Sequence, residues 1–122
     1  MKNQLLKITL IALLSSLAFA DSRLERQCNN GDAGSCLNLG NLYYDGDGVK
    51  QDYKKAREFY NKACEMGNAL GCGALGSLYQ YGLGVRQNDS KAMEFFGKAC
   101  DLGEQKDCDA YKEMKTKLNS NY

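Results

Sequence analysis

Apolar residues along this chain recur at helical spacing, twice over. Cys36, Leu39, Leu42 and Tyr43 fall at i, i+3, i+6 and i+7, which predicts a first helix over Ala33–Tyr44. The same pattern returns over Ala69–Tyr81. Each stretch runs into a glycine-rich turn, Gly46-Asp47-Gly48-Val49 or Gly82-Leu83-Gly84-Val85, where glycine admits positive φ and stops the helix. A second helix is predicted to start near Asp52 and near Asn88–Asp89, good N-cap types. It carries Ala56, Phe59, Tyr60 and Ala63 in one case and Ala92, Phe95, Phe96 and Ala99 in the other. Gly67 and Gly103 end these helices, and a short helix over Ser22–Cys28 precedes everything. The expectation is an all-α chain of about six helices without strands.

The cysteines count out the same period. Cys28, Cys36, Cys64, Cys72, Cys100 and Cys108 are separated alternately by 8 and 28 residues, a repeat of 36. Periods of this length signal a solenoid. Aligning residues 28–63 with 64–99 gives 18 identical positions out of 36. A third period begins at Cys100 and keeps Gly103 and Cys108. It puts Lys112 where the others have Gly40 and Gly76 and lacks the glycine turn, as a terminal cap over 100–122 should. Gly40 and Gly76 stand in mid-helix, where glycine costs about 0.5–1 kcal/mol relative to alanine. Their recurrence at one register predicts close backbone packing between helices.

Six cysteines allow 15 pairings. Pairing at separation 28 or 36 strands two cysteines, whereas separation 8 uses all six: Cys28–Cys36, Cys64–Cys72 and Cys100–Cys108. Each pair then staples the end of one helix to the start of the next. The loop-entropy model gives about 2.6 kcal/mol for each such closure. A zinc site is disfavoured in a chain with no histidine, and no metal or other cofactor is expected.

Residues 1–20 combine Lys2 and Lys7 with an apolar run from Ile8 to Leu17 and an Ala18-Phe19-Ala20 cleavage motif. They are expected to be a cleaved export signal rather than a membrane anchor. The mature domain is then 21–122, with 14 basic residues against 15 acidic. That balance excludes a strongly basic nucleic-acid binder, and export to the periplasm or medium favours disulfides. No membrane contact is expected after signal cleavage, and the chain is expected to be a monomer.

Ala74-Leu75-Gly76, Leu78-Tyr79, Gly82 and Gly84-Val85, followed by Lys91-Ala92, Phe95, Lys98-Ala99-Cys100 and Gly103, resemble a Sel1-like repeat, a relative of the tetratricopeptide repeat. The cysteine pair eight apart is similar to that of the Helicobacter cysteine-rich proteins, which are exported Sel1-like repeat proteins. The resemblance implies an α/α solenoid of two full repeats plus capping helices, with helix pairs stacked around a concave inner face. It also implies a β-lactamase label, attached to that family for penicillin binding and weak hydrolysis.

The residues themselves offer no such chemistry. None of Ser22, Ser35, Ser77, Ser90 or Ser120 has a lysine three positions on, and without histidine neither a Ser-His-Asp site nor a histidine-ligated zinc can form. Catalytic residues are therefore unknown. Asp45-Gly46-Asp47-Gly48 reads as a charged turn rather than a calcium loop, because Tyr81 and Leu83 replace both aspartates in the second repeat. Asn88-Asp89-Ser90 is a formal glycosylation sequon that fits a helix cap better. The recurring aromatics Tyr43/Tyr79, Phe59/Phe95 and Tyr60/Phe96 read as packing.

Positions that differ between repeats on the first helix mark a candidate ligand surface: Asn38/Ala74, Asn41/Ser77, Tyr44/Gln80 and Asp45/Tyr81. Positions 38, 41 and 45 share one helix face. The function expected is a binding module for a protein, a peptide or a peptidoglycan-like chain in the groove. Slow β-lactam hydrolysis is the alternative that the resemblance carries.

Overall fold

A computed structural model describes residues 22–121; the proposed export signal lies outside the described residues. Within them there are six helices and no strand. Helix α1 covers residues 22–29, followed by α2 (Ala33–Asp45), α3 (Tyr53–Glu65), α4 (Ala69–Tyr81), α5 (Asp89–Asp101) and α6 (Gln105–Ser120). The first helix of each repeat thus ends at Asp45 or Tyr81. In repeat one that is a residue later than the apolar spacing indicated.

The helix starts obey local capping chemistry. The side chains of Asp32, Asp52, Asn68 and Asn88 accept hydrogen bonds from the backbone N–H of Ser35, Lys55, Gly71 and Lys91. Asn88 is therefore a cap, as expected. Gly46 and Gly82 close α2 and α4 in the left-handed conformation, at φ 70° and 65°. Glu104 begins α6 without a side-chain cap, since its longer chain does not return to the backbone.

The mid-helix glycines are explained by rings. A Cβ on Gly40 would lie 2.5 Å from the Tyr60 ring, and one on Gly76 2.9 Å from the Phe96 ring. At Gly40 the close approach is between the glycine backbone and an aromatic side chain of the next helix; at Gly76 the Ala92 carbonyl also lies 3.2 Å from where a Cβ would stand, so there the two backbones approach as well. Stacked pairs Tyr43–Phe59 and Tyr79–Phe95, with centroids 5.7 and 5.6 Å apart, extend this packing. Phe59, Tyr60 and Phe96 are buried, so these aromatics belong mainly to the core.

The core is a succession of small clusters. Leu39, Phe59 and Ala63 pack around Cys28 and Cys36; Ala56 and Tyr60 of α3 meet Leu75 and Leu78 of α4; Ala92 and Phe96 meet Met114 of α6. Each cluster joins neighbours only, which is the solenoid pattern. The three disulfides join Cys28–Cys36, Cys64–Cys72 and Cys100–Cys108, with Cα separations of 4.7, 4.5 and 4.6 Å. Each fixes one helix end against the next helix start, and no cysteine is left free among the described residues.

Candidate functional site

Repetition brings α2, α4 and α6, the first helix of each period, to a common face. A cavity of about 260 Å³ opens there, lined by Leu37 and Asn41 of α2, Gly73, Ala74 and Ser77 of α4, and Asp107 of α6 among others. Gly73 makes room for it. A Cβ at that position would collide with the Asp107 carboxylate, so α4 and α6 can meet there only across a glycine.

Asp107 is 4% exposed, and its Oδ2 has no hydrogen-bond partner. Burial pushes its carboxyl above the usual carboxylate value; Lys106 pulls it back and Glu104 pushes it further up. Lys106 also borders the cavity. The face therefore combines apolar walls, two neutral polar groups, one surface cation and one buried acid.

Of the candidate ligand positions Ala74 lines this cavity, and the other seven divide by location. Asn41 and Ser77 line this cavity, whereas Gln80 and Tyr81 line a second one of about 310 Å³ between the end of α4 and α6, together with Glu113 and Lys117. Asn38, Tyr44 and Asp45 are exposed on α2 and line neither. Tyr44 packs edge-on against Tyr53 at 5.3 Å.

The difference between Asn41 and Ser77 has a packing cause. The Tyr60 hydroxyl donates to Asn41 Oδ1 at 2.7 Å, and burial pushes that phenol far above its ordinary range, with Asp45 and Tyr44 adding to the effect. The second repeat has Phe96 in place of Tyr60, and Ser77 stands where that acceptor stood.

Asp107, Lys106, Leu37 and Gly73 were not singled out from sequence. Comparison of two periods could not reach the first two, which lie in the third. Leu37 and Gly73 differ between repeats but are apolar or small, so a search for polar variation passes over them. Among the described residues no group of three histidine, cysteine or carboxylate side chains could hold a metal ion. None of the described helices is long and apolar enough to cross a membrane.

The sequence model of the Sel1 repeat matches residues 33–68 and 69–104, two consecutive periods of 36. Among solved structures, the chain is similar to Helicobacter pylori cysteine-rich protein B. Identity is 36%, the TM-score is 0.71, and the match covers 74% of this chain and 68% of that one. It is similar to a protective antigen of uropathogenic Escherichia coli that displays the same repeat fold, at 30% identity and TM-score 0.70. That match covers 75% of this chain and 20% of the antigen. A Sel1 repeat protein from Oxalobacter formigenes gives 25% identity and TM-score 0.73, over 76% of this chain and 38% of that one. No curated protein sequence matches.

Proposed function

Because the chain belongs to the Sel1-repeat family, within it to the cysteine-rich proteins, we propose that it is an exported binding module whose α2–α4–α6 face holds an extended peptide segment of a partner protein. The family fold is that of a protein-interaction scaffold. The observation that carries the finer proposal is the cavity lined jointly by three successive first helices, with Asn41, Ser77 and Asp107 among its walls. A groove built across repeats presents evenly spaced contacts to a linear ligand. Export is supported by the signal-like residues 1–20 and by three disulfides, which persist in oxidising compartments.

The proposal is tested on a peptide array with disulfide-intact protein. Ser77→Arg fills the groove and should abolish capture of the peptides that bind, while Asn38→Ala should leave it intact. Capture that survives Ser77→Arg overturns the assignment to this face. Nitrocefin hydrolysis by the same preparation would instead favour the β-lactamase alternative, for which the chain offers no S-x-x-K serine.

A further inference from the structure

The residues just ahead of the two cysteines in each staple form three equivalent pairs: Gln27 with Ser35, Ala63 with Gly71, and Ala99 with Asp107. The first pair is polar on both sides, and the Ser35 hydroxyl donates to Gln27 Oε1 at 3.2 Å. The second is small on both sides; a Cβ on Gly71 would strike Ala63 Cβ at 2.7 Å. The third is mismatched, because the Ala99 methyl offers a carboxylate nothing. Asp107 lies instead against Gly73, on the wall of the groove cavity, buried and with Oδ2 unpartnered. No cation among the described residues comes within ion-pairing distance of it, not even Lys106 next in sequence. Buried polar groups are almost always satisfied, so a carboxylate on a cavity wall with neither a cation nor a hydrogen-bond donor on it calls for a donor from outside.

We propose that Asp107 anchors a lysine side chain of the peptide held in the groove, its ammonium on the carboxylate and its methylene stem along Leu37, Leu70 and Ala74. The inference rests on the groove assignment above and names the chemistry of its occupant. The cavity is smaller than the range of about 300–1,000 Å³ usual for whole small-molecule ligands, which suits one inserted side chain. Apolar walls suit an aliphatic stem with a charged tip. A compact ammonium on a flexible stem fits a narrow recess more readily than a planar guanidinium fork. The Ser77 hydroxyl, on the same cavity, supplies a further acceptor for the ammonium protons. Burial also pushes the Asp107 carboxyl up, a shift that an arriving cation reverses.

Two probes test the anchor separately from peptide docking. The first is Nα-acetyl-lysine methylamide, followed by the backbone amide resonances of Asp107 and Gly73, with its Nε-acetyl form as control. The second is a lysine-containing array peptide, measured by anisotropy with the lysine free, acetylated or replaced by norleucine. Expected are shifts with the free amine alone, at least tenfold weaker binding of the acetylated and norleucine peptides, and loss of that preference in Asp107→Asn. Peptides that bind equally well in all three forms overturn the anchor and leave the groove assignment standing. Shifts with the amine but no peptide binding keep the anchor and overturn the peptide assignment. Neither response overturns both.

Discussion

The first and third disulfide hinges share a backbone and differ in their side chains. Both close a helix-to-helix turn with cysteines eight apart and Cα atoms 4.6–4.7 Å from each other. At the first, Asp32 caps the Ser35 N–H at 3.2 Å and the Ser35 hydroxyl in turn donates to Gln27, so Gln27, Asp32 and Ser35 are all engaged. At the third, Glu104 makes no side-chain cap, Ala99 replaces the acceptor, and Asp107 is buried without a partner for Oδ2. The staple holds the fold whatever surrounds it, which frees neighbouring positions to depart from the best local chemistry. Departure at the third hinge puts an acid on the groove, and polar groups left unsatisfied in otherwise consistent folds tend to mark function.

The most disruptive way to break this comparison is to remove the staples themselves. Cys64→Ser with Cys72→Ser removes the link between α3 and α4, and so between the two full repeats. The outer pairs tie down one terminal helix each. Every pair is worth about 2–4 kcal/mol, and a domain of this size shifts by roughly 4–8 °C per kcal/mol. The middle double variant should therefore lose about 10 °C or more of melting temperature, and more than Cys28→Ser with Cys36→Ser or Cys100→Ser with Cys108→Ser. Thermal melts followed by circular dichroism check the order. Equal losses at all three hinges would show that the staples act locally rather than by coupling repeats.

Repetition made the scaffold readable and left the candidate site hidden. Period, helix order and cysteine pairing follow from residues that agree between copies, such as Leu39/Leu75 and the cysteines, and these build the core. The site depends on what differs, and the two-copy comparison carries only half of that. It found Asn41 and Ser77, both on the cavity, yet their difference tracks the swap of Tyr60 for Phe96. Asp107 falls in the truncated third period, where the loss of Gly40's counterpart already reads as a cap. Its unpaired state depends on Ala99, its partner in the staple register, and on a glycine 34 residues earlier that the period does not relate to it.

A smaller change should make the third hinge resemble the first. Glu104 occupies the register of Asp32 and Asn68, both of which cap the next helix through a short side chain. Glu104→Asp supplies an oxygen at the right reach for the Asp107 N–H. A restored N-cap stabilises by about 1 kcal/mol. Chemical denaturation should show the midpoint rising with the slope unchanged. An unchanged midpoint would place the missing cap in the backbone geometry rather than in side-chain length.

The smallest effect concerns Asp107, where stability and binding should part company. Burial raises its carboxyl above the usual 3.8, with Lys106 opposing and Glu104 reinforcing the shift. Over the pH range between the unfolded and folded values, the folded chain binds more protons than the unfolded one, so stability falls as pH rises and then levels off above the folded value. Asp107→Asn removes that penalty. The variant should match the parent at pH values below the unfolded carboxyl range and exceed it at pH 7. Two terms keep the gain under about 1 kcal/mol. An amide at this position still lacks partners, and the first turn of a helix favours an anion by about 0.3–1 kcal/mol. Paired melts at acid and neutral pH measure the gain as a difference that opens with pH. A parent that is the more stable of the two at neutral pH would mean that Asp107 already finds compensation within the fold. The absence of a donor at Oδ2 could then no longer be taken as the mark of a ligand.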